Sequence, residues 1–300
     1  MSKAAYLKLS PGELGEKARR AVAMLEDCTV CAQECRVNRL KGEVGICRGG
    51  RRAAVSSCGP HFGEEAPLVG SRGSGTIFFA FCNLKCRFCQ NCEISHFGEG
   101  EVVSTSALAE MMLEMQQSGC HNINLVSPSH YVPQILEGLQ MAVAQGLKIP
   151  LVYNTGGYDS PETLEILDGV VDIYMPDIKF GDDEVGRKYA GAAGYFTVAK
   201  RAVKVMHGQV GDLVVDGKGI AVRGLLVRHL VLPGNLAGTE KVIEFLAGDI
   251  SKGTFLNIMA QYYPAHEAFE YPELNRRITG KEYREAIKIA ERYGLSRVYS

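Results

Sequence analysis

Three hundred residues, 46% hydrophobic and 22% charged, are enough for one large domain or two ordinary ones and exclude disorder as the main state. No apolar run approaches the ~20 residues a membrane helix needs, and the opening MSKAAYLKLS holds no apolar stretch of a secretion signal. Lys and Arg number 33 against 34 Asp and Glu, and this net charge of −1 gives no global pull on nucleic acid. The expected location is the cytoplasm, with neither a membrane nor a nucleic acid as partner.

The chain opens on a short helix. Ser10-Pro11-Gly12-Glu13 reads as an N-cap, a first-turn proline and a capping-box Glu, and Leu14, Ala18, Ala21, Val22 and Leu25 supply one apolar face. From Cys28 to Gly75 periodicity is weak and Gly, Arg and Cys abound, so residues 1–75 are expected to be a helix plus a cysteine-rich, metal-binding extension. Residues 76–300 then alternate regularly. Strands are expected at Ile77–Phe81, Ile123–Val126, Pro150–Tyr153, Val170–Met175, Leu225–Leu232 and Phe255–Met259, short and apolar as in a parallel sheet buried on both faces.

Helical faces separate several of these strands, at Leu108 to Met115, Val132 to Val143, from Ser160-Pro161 onward, and at Val242 to Leu246. Thr279-x-x-Glu282 caps the last helix, and Asp216-Gly217 marks a hairpin before the fifth strand. The fold class is α/β, an open six-stranded barrel or a doubly wound sheet. In either, ligands gather at the carboxyl ends of the strands. Polar residues cluster there: Ser127 to His130, Asn154 and Thr155, Asp177 and Lys179, and Gln261.

Nine of ten cysteines fall in the first third, and without a secretion signal metal or catalytic use outweighs disulfides. Cys82, Cys86 and Cys89 form C-x3-C-x2-C in the loop after the first predicted strand. Three thiolates in one loop can hold three irons of a [4Fe–4S] cubane and leave the fourth open to a substrate or cofactor, whereas structural zinc wants four closed ligands. Upstream, Cys28, Cys31, Cys35 and Cys47 surround a Gly-rich turn and offer four thiolates, for zinc or for a second iron–sulfur cluster. The run Arg48, Arg51, Arg52 reads as a solvated face.

C-x3-C-x2-C with Phe88 before its last cysteine resembles the signature of the radical S-adenosylmethionine superfamily, and the resemblance covers about residues 75–261. It is nearest to pyruvate formate-lyase-activating enzymes and a related iron–sulfur branch. The resemblance implies a partial (β/α)6 barrel, S-adenosylmethionine chelated at the open iron, and its reductive cleavage to a 5′-deoxyadenosyl radical that abstracts hydrogen. It implies an electron donor such as flavodoxin or ferredoxin and, for an activating enzyme, a glycyl radical protein as target.

Phe88 would then lie near the adenine. Tyr153-Asn154-Thr155-Gly156-Gly157 is similar to the D-T-N-G turn, with Asn154 in place of its Asp. Met175 to Lys179 resembles the D-x-K segment, whose Asp177 helps bind a monovalent cation. Arg228 to Gly234 resembles a strand whose Arg approaches the cofactor carboxylate. Where the family has Gly-Gly-Glu for the methionine amine, this chain has Leu125 to Tyr131, so Ser127 and Ser129 become the candidate ligands. His266-Glu267 is similar to a cofactor-facing H-E pair. The readings set against this one are modification of RNA or a peptide by the same chemistry, and an iron–sulfur electron carrier.

Overall fold

A computed structural model describes residues 4–299. Helix α1 (Pro11–Ala23) starts where the sequence puts it: Ser10 Oγ accepts from the Glu13 amide at 3.2 Å, and Glu13 accepts from the Ser10 amide at 2.7 Å. Strand β1 (Ala54–His61), the short α2 (Ala66–Val69) and β2 (Ser74–Phe79) follow. Next come α3 (Cys92–Ser95), β3 (Glu101–Val102), α4 (Thr105–Gln117), β4 (Ile123–Val126), α5 (Val132–Ala144), β5 (Leu151–Thr155), α6 (Pro161–Ile166) and β6 (Ile173–Pro176). Helices α7 (Asp183–Ala190) and α8 (Tyr195–Val210) lead to β7 (Val214–Val215) and β8 (Ala221–Leu230). The chain closes with α9 (Thr239–Phe245), β9 (Phe255–Met259), α10 (Gly280–Arg292) and β10 (Arg297–Tyr299).

Seven strands pair in parallel in the order β2-β4-β5-β6-β8-β9-β10. The order climbs steadily and never reverses, which excludes the doubly wound alternative with its switch point. The sheet is a partial barrel, and its β2-to-β9 strands are the six expected from sequence. β1 pairs antiparallel with β2 and β3 with β1, so the cysteine-rich extension shares the barrel's sheet.

Seven elements go beyond the sequence reading, the short α3 and β3 among them. β1 and β10 were not foreseen, because both alternate weakly and lie at the sheet's margins. α7 and α8 sit in one long interval between β6 and β8 where only the hairpin was marked. That hairpin is real: β7 pairs antiparallel with β8, and Asp216 caps its turn by accepting from the Lys218 and Ile220 amides. α2 was likewise unseen, and it has a structural task. Leu68 is fully buried against Val152, Ile173, Met175 and Leu226, the inward-facing side chains of β5, β6 and β8. It plugs the barrel. Alternate residues of the same strands, such as Leu151, Tyr153 and Tyr174, face outward into the main core under the helices.

Candidate active site

Just beyond β2, Phe81 adopts a left-handed conformation at φ 67°, costly for a bulky residue. It turns the chain into the loop carrying Cys82, Cys86 and Cys89. Gly98 makes room for that turn, since a Cβ there would lie 2.1 Å from the Phe81 ring. Cys86 is buried, and Cys82 and Cys89 are half-buried. Burial pushes the Cys86 thiol up to about 12; Lys179 pulls it back, and Cys89 and Cys82 push it further up. Burial raises Cys82 too, against a backbone amide of Leu84, with Cys89 pushing up and Lys179 and Lys85 pulling down. Three thiols thus stand near one another with two lysines in range. Thiolates so placed are costly alone and favoured when cationic iron neutralises them, so the donor set fits a cluster. Among the described residues no three Cys, His, Asp or Glu groups are spaced for one shared metal ion.

Adjacent strand ends supply a polar cradle. Arg228 on β8 donates from Nε to Asp177 Oδ1 at 2.8 Å and from Nη2 to Asn154 Oδ1 at 2.7 Å. Lys179 Nζ donates to Asp177 Oδ2 at 2.5 Å. Burial works against the charge on Asp177, but Arg228 and Lys179 outweigh it and hold the carboxyl below its usual range. Burial likewise opposes the Lys179 and Arg228 cations; Asp177, joined by Cys86 and Tyr195 at Lys179 and by Glu65 and Glu64 at Arg228, more than offsets it. Asn154, Asp177, Lys179 and Arg228 therefore converge as one constellation from β5, β6 and β8.

Tyr195 on α8, which the sequence reading missed, fixes its base. The Lys179 amide donates to the Tyr195 hydroxyl at 2.8 Å, and that hydroxyl lies 2.9 Å from the Gly156 carbonyl. Gly157, at φ 78°, allows the β5 turn to press onto β6, for a Cβ would lie 2.3 Å from the Asp177 carbonyl.

The remaining candidates divide. Ser127 stands at the end of β4 with φ 56°, another strained residue, and its amide donates to the Asn154 carbonyl at 2.9 Å. Ser129 is buried and 2.9 Å from the Thr155 hydroxyl, which donates to Asp159 at 2.7 Å. That places it in a closed network behind the strand ends. Phe88 is buried edge-on to Phe180 and Tyr262, with ring centroids 5.9 and 6.0 Å away. His266 meets the cysteine loop at its rim, its ring 4.5 Å from His96, beside the Arg87–Glu267 ion pair.

Upstream, Cys28, Cys31 and Cys47 are buried and Cys35 is half-buried. Burial raises Cys31, and Cys47, Cys28 and Cys35 add to it, so the four thiols converge. Gly45 is pressed against Cys35, where a Cβ would lie 2.3 Å from the sulfur. The set touches the barrel loop: Gln33 donates to the Asn83 carbonyl at 2.7 Å, and Lys85 feels Cys82 and Cys47 together. Four thiols fit a second metal group by donor chemistry, with no three of them at the spacing of one shared ion among the described residues. Of the neighbouring basic run, Arg51 is held bidentately by Glu137 at 2.8 and 2.7 Å.

Two carboxylates complete the picture from inside the barrel. Glu64 Oε2 lies 3.4 Å from Arg228 Nη1, and Glu65 accepts from Asn257 Nδ2 at 2.9 Å. They precede α2 in a segment whose sequence shows no period, so nothing in the pattern announced them.

A parallel partial barrel with three cysteines at the first strand's end and this cradle on its neighbours defines the class: an S-adenosylmethionine-dependent radical enzyme fold. The radical SAM superfamily profile matches residues 76–217. An uncharacterized protein of Methanocaldococcus jannaschii is 33% identical over 301 residues, covering 98% of this chain and 82% of its own length. Among solved structures, methylornithine synthase (PylB) is similar over 75% of this chain with TM-score 0.50 and 14% identity. HydG, a maturase of the [FeFe]-hydrogenase, is similar over 97% with TM-score 0.49 and 10% identity. The chain spans 63% of the length of either. The chain belongs to the radical SAM superfamily.

Proposed function

We propose that this enzyme holds a [4Fe–4S] cluster on Cys82, Cys86 and Cys89 and reductively cleaves S-adenosylmethionine for hydrogen abstraction. The observation that carries the reading is the meeting of the three-thiol loop with the Asn154–Asp177–Lys179–Arg228 constellation, through Lys179 and Cys86. The cluster, when bound, supplies the electron and a chelation point for the methionine group.

The chain's own residues bind, orient and exclude water. Arg228 spends three of its five N–H groups on Asp177, Asn154 and Glu64, which leaves two for the methionine carboxylate. Asp177 locks the guanidinium plane, and Lys179 offsets the charge on Asp177. Ser127 offers acceptors to the methionine ammonium, Phe88 an apolar edge to the adenine, and His266 a polar group at the rim. Phe88, Phe180, Tyr195 and Tyr262 form a largely apolar cap that keeps water from a reactive intermediate.

A glycyl radical protein is the target we propose, supported by the resemblance of Met175 to Lys179 and Arg228 to Gly234 to activating enzymes. Flavodoxin or ferredoxin is the proposed electron donor. Cys28, Cys31, Cys35 and Cys47 are proposed to hold zinc or a second cluster. Asn154 removes one acidic ligand from the proposed monovalent cation site, leaving Asp177 as its carboxylate. Anaerobic reconstitution, with metal analysis of wild type and of the Cys82/Cys86/Cys89→Ala variant, tests the assignment. Four irons should be lost with the triple substitution, while the upstream metal stays.

A further inference from the structure

Beside Arg228, along β8, β9 and β10, lies an open cleft of about 700 Å³. That is the size of a small-molecule site. Glu64, Glu65, Arg228, Asn257, Met259 and Tyr299 line it. Tyr299 pairs with Asn257 across the edge of the sheet, is 48% exposed, and marks where the cleft opens to solvent. The site's interior chemistry is unbalanced. Asp177, Glu64 and Glu65 bring three carboxylates, whereas Arg228 and Lys179 bring two cations. Among the described residues Arg228 is the one cation lining the cleft, and its Nε, Nη1 and Nη2 each face one acceptor, on Asp177, Glu64 and Asn154.

Free capacity lies with the acceptors. Glu65 is 5% exposed; its Oε1 takes the Asn257 amide, and its Oε2 has no hydrogen-bond partner among the described residues. A second, independent orphan lies on β4. Asn124 is fully buried and neither its Oδ1 nor its Nδ2 has a partner among the described residues. Asn124 is paired in register with Val152, which packs on Leu68 inside the barrel, so its amide belongs to the barrel interior next to the plug and not to the lining of the cleft. Buried polar groups left unmatched are costly unless a ligand satisfies them.

We propose that this cleft is a substrate subsite for an ammonium or guanidinium group, seated on Glu65 and Glu64 with Asn257 orienting Glu65. The proposal rests on the radical SAM reading above and adds the chemical class of the substrate. An anion is disfavoured beside Glu64 and Glu65, because two carboxylates face that part of the cleft and the free N–H groups of Arg228 are assigned above to the methionine carboxylate. A neutral polar group would leave Glu65 Oε2 without a charged partner. A cation seated beside Arg228 lies next to the constellation, so an adjacent carbon of the substrate is offered to the strand-end mouth.

The test uses the full chain with its metal sites reconstituted, and ligand-observed NMR with n-butylamine, n-butylguanidine, n-butanol and butyrate at pH 7.5. We expect both cations to bind at least tenfold more tightly than n-butanol, with butyrate weakest. Glu65→Gln should erase the preference, and Glu64→Gln should reduce it. The wild-type comparison decides alone should either variant not fold. A blocked lysine, Nα-acetyl-lysine methylamide, run beside n-butylamine shows whether the cation comes from a polypeptide or a small amine. Either order supports the subsite. Equal binding of amine and alcohol, preference for butyrate, or competitive displacement of the amine by S-adenosylmethionine would overturn it. A chain that selects cations but cleaves no S-adenosylmethionine leaves the subsite standing and removes the functional reading. A chain that cleaves without selecting cations does the reverse.

Discussion

Asp177 is the residue on which the cradle turns. It accepts from Arg228 on one oxygen and Lys179 on the other, so it fixes two cations from different elements. Asp177→Asn leaves both cations short of a partner in a mostly buried site, and should cost about 3 kcal/mol of stability in urea unfolding. Arg228 has a different signature. Arg228→Lys keeps the charge but loses the planar fork, and should weaken S-adenosylmethionine binding about tenfold to a hundredfold, on the ~1.5–3 kcal/mol scale of a hydrogen bond to a charged group. Equilibrium binding to the cluster-loaded variant measures it; unchanged affinity would remove Arg228 from the cofactor site. The cysteine motifs could be read from their spacing and Asn154 and Asp177 from their place just after strands, whereas Arg228 is reached only through the family resemblance. Glu64, Glu65 and Asn257 could not be read from sequence, because long-range folding alone brings a residue near the start of the barrel to one near its end.

At the scale of elements, strain gathers at the strand ends. Phe81 and Ser127 both hold left-handed conformations just past β2 and β4, at φ 67° and 56°. Such outliers persist where surrounding structure imposes them, often at functional sites. Ser127→Gly relieves the conformation and removes the hydroxyl, so its effects should diverge. Stability should rise by about 1 kcal/mol, while S-adenosylmethionine affinity falls. A parallel loss of both would mean that Ser127 serves packing alone. The β5 turn carries the opposite constraint. Gly157→Ala drives a Cβ into the Asp177 carbonyl, and should separate β5 from β6 at a cost of about 1–3 kcal/mol.

The strands of the barrel's centre were visible in sequence because burial on both faces makes them continuous apolar runs. β10 escaped because an edge strand needs no such run, and β1, which lies between β2 and the two-residue β3, escaped because its burial alternates only partly. α8 escaped for another reason: its apolar residues at Tyr195, Ala199, Ala202, Val203 and Met206 follow a helical period, yet a preceding Gly-rich turn and no polar N-cap hide its start.

For the whole molecule, acid sensitivity is built in away from the carboxylates. His229 is fully buried, with Nδ1 2.6 Å from the Ile178 carbonyl and Nε2 3.0 Å from the Thr239 hydroxyl, an arrangement suited to the neutral ring. Burial lowers its pKa to about 4, and lowers that of His130, fully buried on the other side of the barrel, to about 3. Unfolding returns both to about 6.5, so the unfolded chain binds more protons between pH 6.5 and 4. The stability these rings contribute is present above 6.5 and is lost as pH falls through that window. The melting temperature should decline across it, and His229→Gln should flatten the decline. An acid dependence of the melting temperature that is the same in the wild type and in His229→Gln would contradict the burial of this ring as a neutral group.

Three thiols on one strand-end loop, faced by the Asp177 constellation, are proposed to make a site for reductive cleavage of S-adenosylmethionine. The most direct measurement is product analysis under anaerobic conditions, with reconstituted protein, dithionite and S-adenosylmethionine. We predict 5′-deoxyadenosine and methionine from the wild-type chain, and neither from the Cys82/Cys86/Cys89→Ala variant. A wild-type chain that carries its cluster yet yields no 5′-deoxyadenosine with any reductant, or a triple variant that still yields it, would contradict the claim.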